Sequence, residues 1–252
     1  MNFQGKNVLV TGGARGIGRA VAQAFAAQGA RVALSYRNNH AAAEETLASL
    51  HGDGHLKLAG DITEPDFTQE LVARTVAGLG SLDILVNNAG IFEAHPIDSA
   101  SFDAWQSAWR RTLNVNLVAP ANLCYHAAQM MIQQGGGKIV NVSSRGAFRG
   151  EPESPAYGAS KAALNAMIQS LAQKLAPHNI SVGVVAPGFV ETDMAWDLLK
   201  SPRGEEVRNQ SPFGRVAKPE EVAHAVLFLA SEEAVFSSGA IIDVNGASYL
   251  RS

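Results

Sequence analysis

The sequence predicts a single α/β domain: a doubly wound, seven-stranded parallel β-sheet with helices on both faces. Three observations carry this. Short β-branched runs alternate along the chain with longer alanine-rich amphipathic stretches. Strands that alternate with helices make βαβ units, which pair in parallel. Several strand candidates, among them VLV, ILV and VGVV, are apolar throughout, as suits strands buried on both faces. The 252 residues, 46% hydrophobic and 17% charged, suffice for one large core, and no repeat or low-complexity linker divides them.

The first strand is expected at Asn7–Thr11 and leads through a glycine-rich turn into a helix over Gly16–Gln28. A second strand, Arg31–Tyr36, precedes a helix at Ala41–Leu50; a third, His55–Gly60, precedes one at Asp66–Gly78. The fourth strand, Ile84–Asn87, is followed by a long helical pattern over Ser101–Gln134. Pro120 lies inside that pattern and should kink it, because proline donates no hydrogen bond to the preceding turn. Strands at Lys138–Ser143 and Ser181–Ala186 flank a helix at Pro155–Ala176. A last helix, Pro219–Ala230, leads to the strand Ala240–Val244. The stretch from Glu191 to Pro212 breaks this rhythm with mixed charge, Pro202, Gly204 and apolar residues around Trp196. Long excursions from a compact domain are commonly functional, and a substrate lid is the expectation here.

Composition excludes several classes. A net charge of -3 leaves no basic footprint for nucleic acid or an anionic membrane. The single cysteine, Cys124, sits in an apolar helical stretch and precludes an internal disulfide or a cysteine-rich zinc site. Histidines at 40, 51, 55, 95, 126, 178 and 224 show no metal-ligand spacing, so no metal is expected. Only His95 is placed to border a pocket, while Trp105 and Trp109, spaced i, i+4, suit helix packing. No basic-then-apolar leader precedes the first strand, and no apolar run reaches the roughly 18 residues of a membrane span. A cytoplasmic protein is expected.

The turn VLVTGGARGIGRA sets Gly12, Gly16 and Gly18 between the first strand and the first helix. Glycine allows a sharp turn and close approach of a pyrophosphate, and the helix start offers free N–H groups and a positive dipole end. Thr11–Gly18, TGGARGIG, resembles the T-G-x-x-x-G-[IL]-G hallmark of the short-chain dehydrogenase/reductase family. Further matches follow in order: Asp61 in GDIT, NNAG at Asn87–Gly90, Asn116 in NVNL, Ser144 in NVSS, YGASK from Tyr157 to Lys161, and PGFVET at 187–192. The resemblance covers almost the whole chain. It implies a Rossmann-type fold and a nicotinamide cofactor along Gly12, Arg15, Gly16, Ile17 and Gly18, then Tyr36, Arg37, Asp61, Ile62, Asn88, Ala89 and Gly90, with Pro187, Gly188, Val190 and Thr192 at the nicotinamide. It also implies a homotetramer paired through the long helices, and Asn116, Ser144, Tyr157 and Lys161 as catalytic residues.

Elementary chemistry agrees with those roles. Tyr157 and Lys161 are four apart on one helix face. A nearby ammonium favours phenolate, so Lys161 is expected to lower the tyrosine's pKa from its usual value of about 10. Such a tyrosine can give a proton to a carbonyl oxygen or take one from an alcohol. In the family the lysine also bonds the nicotinamide ribose. A hydroxyl closing the fifth strand can donate to a substrate oxygen. Ser143 is the competing candidate, but counted from Ser144 the spacing to Tyr157 resembles the family's. A carbonyl freed by Pro120 can hold a water, and in the family the matching asparagine anchors one; Asn114 is the alternative to Asn116.

Cofactor choice follows from the end of the second strand, RVALSYRNN. An NAD-specific site usually has an acid there for the ribose hydroxyl, about 20 residues past the glycine loop. Here Tyr36 occupies that place, with Arg37 following and Arg15 in the loop, and arginine grips phosphate bidentately. NADP(H) is therefore preferred, with NAD(H) possible. The expected reaction is reduction of a small-molecule carbonyl or oxidation of an alcohol. An NAD-dependent sugar or polyol dehydrogenase is the alternative, and a non-catalytic NADP(H)-binding regulator is the rival of another class. The pattern is similar to 3-oxoacyl-[acyl-carrier-protein] reductases and to sugar and polyol dehydrogenases. Gly135 and His178 stand where carrier-docking arginines would align, which weakens the carrier-protein reading. Phe92, Glu93, His95, Arg145, Phe148, Glu151, Phe189 and Trp196 are the pocket candidates, and their mixed polarity selects no ligand.

Overall fold

A computed structural model describes residues 1–251. Its sheet has seven parallel strands in the order β3-β2-β1-β4-β5-β6-β7: β1 Asn7–Val10, β2 Arg31–Tyr36, β3 Leu56–Ala59, β4 Ile84–Asn87, β5 Gly137–Val142, β6 Ile180–Pro187 and β7 Ile241–Val244. Alternate side chains of each strand point to opposite faces. Val8, Val10, Val32, Leu34 and Val140 join α1 (Gly16–Ala27) and α10 (Pro219–Ala230) in one core. Leu9, Ala33, Leu85, Ile139 and Val184 join α3 (Pro65–Leu79), α5 (Ala119–Gln134) and α7 (Pro155–Leu175) in the other. Burial on both faces is why these strands are apolar runs and not alternating ones. The remaining helices are α2 (His40–Ala48), α4 (Phe102–Leu113), α6 (Gly146–Arg149), α8 (Asp193–Lys200) and α9 (Gly204–Asn209).

Strand order reverses between β1 and β4, and the crevice beyond the carboxyl ends of such strands is where doubly wound sheets bind ligands. The pattern over Ser101–Gln134 is helical without a gap from Phe102, and the break expected at Pro120 takes the form of a π-helical turn, Asn114–Val118, between α4 and α5. Pro120 has no N–H to return to the Asn116 carbonyl four residues back, and the wider turn absorbs that break. The stretch after Glu191, expected as a lid, contains two short helices. It folds into α8 and α9 around Ala195, Leu199, Val207 and Val216, a small core of its own. Its two ends are zipped together where the Glu191 N–H donates to Ala217 O (2.9 Å) and the Ala217 N–H to Phe189 O (2.9 Å). Among the described residues, no helix is long and apolar enough to cross a membrane, and no three His, Cys, Asp or Glu side chains cluster as metal ligands.

Candidate active site

The crevice begins at the glycine loop. Gly12 (φ +61) and Gly16 (φ +53) adopt left-handed backbone, which costs other residues strain. A Cβ on Gly18 would strike the Gly12 carbonyl oxygen, so α1 packs directly against the loop. Arg15 opens α1 without a side-chain cap, and the first turn holds no acid. The first amides of α1 thus remain for an anion at the positive end of the helix dipole. This cradle fits a dinucleotide pyrophosphate. Thr11 and Asn88 hold it in shape. The Thr11 hydroxyl accepts the Asn88 (3.0 Å) and Ala89 (3.1 Å) N–H groups, and Asn88 Nδ2 donates to Thr11 O (2.9 Å) and Gly12 O (3.2 Å). Asn88 and Ala89 therefore tie β4 to the loop, a structural part for which Thr11 was not singled out in the sequence.

Farther along the crevice, Arg37 Nη1 lies 3.5 Å from Asp61 Oδ2, and Arg15 Nη1 lies 3.7 Å from Asp193 Oδ2 at the start of α8. Burial would raise the Asp61 carboxyl, but the Thr63 N–H and hydroxyl and the Arg37 charge outweigh it and hold the group below its ordinary value. Ile62 follows Asp61 and packs on the core beneath β3. Tyr36 joins the core and is 9% exposed, with the phenol 3.0 Å from His40 Nδ1, so Arg37 is the exposed cation at the strand end. On the other side of the switch point, a Cβ on Gly188 would lie 3.1 Å from Asn245 Cα, while Val190 bridges to Ala217. Thr192 stands over Gly16, its Cγ2 3.2 Å from where a Cβ would be. Pro187 to Thr192 thus faces the glycine loop across the crevice.

The four candidate catalytic residues converge at this end of the sheet. Asn116, fully buried in the π turn, grips Ile91 twice: Oδ1 accepts the Ile91 N–H (2.9 Å) and Nδ2 donates to Ile91 O (2.9 Å). A Cβ on Gly90 would sit 3.2 Å from Asn116 Oδ1 and 3.5 Å from Lys161 Nζ, so Gly90 leaves room between them. Lys161 Nζ donates to Val142 O (2.9 Å), and burial lowers its pKa to about 8. Ser144 follows β5, its hydroxyl accepting the Gly146 N–H (3.0 Å); the Ser143 hydroxyl instead meets Lys161 O (3.4 Å) in the interior, away from the crevice. Tyr157 sits in the first turn of α7, its ring edge-on to Phe92 at 5.0 Å.

The tyrosine's pKa is not lowered as expected. Burial pushes it up to about 12, the Ser144 hydroxyl pulls down less strongly, and the Glu151 charge pushes up again. Lys161 does not offset this. Its Nζ lies 5.8 Å from the ring centroid and is spent on Val142. A phenol held protonated at neutral pH is a proton donor.

The pocket candidates divide. Phe92 and Glu151 border Tyr157. Glu93 is ion-paired with Arg111, His95 is only 2% exposed, and Phe148 lies under the Arg251 guanidinium. Arg145 is buried over the Phe189 ring and bonds Ser248 and Gln210, linking the end of the Glu191–Pro212 segment to the C-terminal stretch. Trp196 is exposed on α8.

A family model described as enoyl-(acyl carrier protein) reductase matches residues 12–247. The L-rhamnose 1-dehydrogenase (NAD(P)(+)) of Sphingomonas sp. is 37% identical over 98% of this chain and 98% of its own. The 3-oxoacyl-[acyl-carrier-protein] reductase of Escherichia coli is 37% identical over 99% of this chain and 100% of its own. Among solved structures, a short-chain dehydrogenase from Burkholderia cenocepacia in complex with NADP superposes with a TM-score of 0.88 at 35% identity, covering 98% of this chain and 99% of that one.

Proposed function

The chain belongs to the short-chain dehydrogenase/reductase family of oxidoreductases, and from that premise we propose that it is an NADPH-dependent ketoreductase, interconverting a carbonyl and a secondary alcohol. The observation that carries this reading is the convergence of Asn116, Ser144, Tyr157 and Lys161 beside the glycine cradle, with Tyr157 held protonated. A bound reduced nicotinamide supplies the hydride. The chain's residues do the rest. In this reading Ser144 orients the carbonyl oxygen by a hydrogen bond and Tyr157 gives that oxygen its proton as negative charge builds. Lys161 and the Asn116 turn lie behind the phenol as its proton supply. The absence of an acid at the strand-two end, with Arg37 and Arg15 nearby, supports NADPH over NADH.

Two observations favour an NAD-dependent sugar or polyol dehydrogenase as the second reading. One relative is named for L-rhamnose. The other is the partly buried Glu151 carboxyl, packed on Gly146 beside Tyr157 and free of hydrogen bonds to any described residue, as an acceptor for substrate hydroxyls would be. Residues 191–212 serve as the lid, and the protein works as a cytoplasmic homotetramer; the exposed apolar side chains Phe102, Val118 and Tyr125 on and between α4 and α5 support assembly through those helices.

Loss of NADPH absorbance across ketones, keto sugars and acyl thioesters tests the reaction. Tyr157→Phe should lower turnover by about 10²–10⁴-fold and leave NADPH affinity intact. Unimpaired turnover in that variant would overturn the assignment.

A further inference from the structure

We propose that His95 is a positioning residue: its neutral imidazole caps the helix that carries Tyr157 and Lys161, and so fixes where the phenol stands. The proposal rests on the reading of Tyr157 as the proton donor. A helix begins with amides that have no intrahelical acceptor, and the residue before it usually supplies one from its side chain. In α7 the N-cap residue, Ser154, does not. Its hydroxyl is buried and makes no hydrogen bond with any described residue. Pro155 has no N–H, and the Tyr157 N–H is taken by Ser154 O at 2.9 Å. The Ala156 N–H remains, on a residue with no exposure to solvent. His95 Nε2 accepts it at 3.2 Å, from 61 positions earlier in the chain.

The two partners fix the tautomer. An amide N–H can only donate, so Nε2 must carry the lone pair. Nδ1 lies 2.8 Å from Glu93 O, which can only accept, so Nδ1 carries the proton. A third bond, His95 N–H to Glu153 O at 2.8 Å, stitches the same two segments together. The ring is 2% exposed and packs edge-on against both Trp105 (5.4 Å) and Trp109 (6.5 Å), which hold it in place. The loop that holds His95 also holds Phe92, whose ring meets Tyr157 at 5.0 Å. Loop 92–95 therefore grips the tyrosine from its ring and from the backbone beside it. Protonating Nε2 would set a second donor against the Ala156 amide and break the cap. The charged group beside the ring is the Glu93 carboxylate, already paired with Arg111 of α4; Glu153 meets His95 through its backbone carbonyl, and the α4 tryptophans carry no charge.

The test compares His95→Phe, which keeps an aromatic ring against the tryptophans but has no acceptor, with His95→Gln, whose amide oxygen can reach the Nε2 position. With NADPH and a ketone that the wild type reduces, H95F should lose roughly tenfold to a hundredfold in kcat, as expected for a misplaced reacting group, with the KM for NADPH unchanged. H95Q should recover most of that loss. Wild-type turnover in H95F, or H95Q as impaired as H95F, would overturn the proposal. A reading free of activity comes from ¹⁵N-histidine shifts and amide exchange in the wild type. A neutral Nδ1–H tautomer with a protected Ala156 amide supports the cap, and an Nε2–H tautomer or a fast-exchanging amide refutes it. Failure of the wild type to reduce any carbonyl would defeat the ketoreductase reading, and the tautomer measurement would still decide the role of His95.

Discussion

Arg37→Ala should erase most of a preference for NADPH, and the size of the effect can be worked from the crevice. Arg37 is not idle before it meets a phosphate, because its Nη1 lies 3.5 Å from Asp61 Oδ2, with both side chains partly exposed. An exposed pair of that kind contributes about 0–1 kcal/mol. A charged hydrogen bond from arginine to a ribose 2′-phosphate contributes about 1.5–3 kcal/mol. Exchanging the first for the second leaves about 0.5–3 kcal/mol, or about twofold to 150-fold in selectivity. The assay is kcat/KM for NADPH and for NADH in wild type and R37A at the same ionic strength, since the contact is open to solvent and salt screens it. R37A should lose that factor with NADPH and change little with NADH. Tyr36 is the wrong handle, because it is buried against His40 and an aspartate there would bury a carboxylate. An R37A enzyme that keeps the wild-type ratio would refute the reasoning, leaving Arg15 or the backbone to discriminate.

Two other outcomes are expected. Glu151→Gln removes a charge that raises the Tyr157 pKa, so the phenol should ionise at lower pH; the rise of alcohol oxidation with pH, about tenfold per unit below the pKa, should then begin earlier than in the wild type. An unmoved profile would show that the carboxylate does not act on the phenol. If residues 191–212 form a lid, trypsin should cut at Arg203 or Arg208 in the free protein and be slowed by NADPH with a substrate analogue; equal cleavage in both would count against closure.

The fold was legible because its signals are local. Apolar runs of four to eight residues mark doubly buried strands, and every expected strand is present with ends shifted by one residue at most. The misreadings lie where a local rule has two solutions. Pro120 announced a break, but whether a helix answers with a kink or a π turn depends on what the freed groups meet, and here Asn116 is locked onto Ile91. The two helices after Glu191 are absent from the sequence reading because they are only eight and six residues long, too short for a 3.6-residue period to stand out.

The site was legible as a set of residues and not as an electrostatic state. Spacing put Tyr157 and Lys161 on one helix face, and from that alone an ammonium should lower the phenol's pKa. Whether it does depends on where the lysine points and what surrounds the hydroxyl, and both are tertiary facts. The Val142 carbonyl takes Nζ, burial lowers the lysine to about 8, and burial with Glu151 raises the tyrosine to about 12. The two shifts share a cause, since desolvation disfavours the charged form of each group; the phenol keeps its proton at neutral pH, and a lysine near 8 still carries one there. A site in this state is set to donate a proton, the direction that carbonyl reduction needs. Alcohol oxidation requires the opposite ionisation. It therefore has to draw on positive charge brought in by an oxidised nicotinamide, and without that charge the buried phenol keeps its proton.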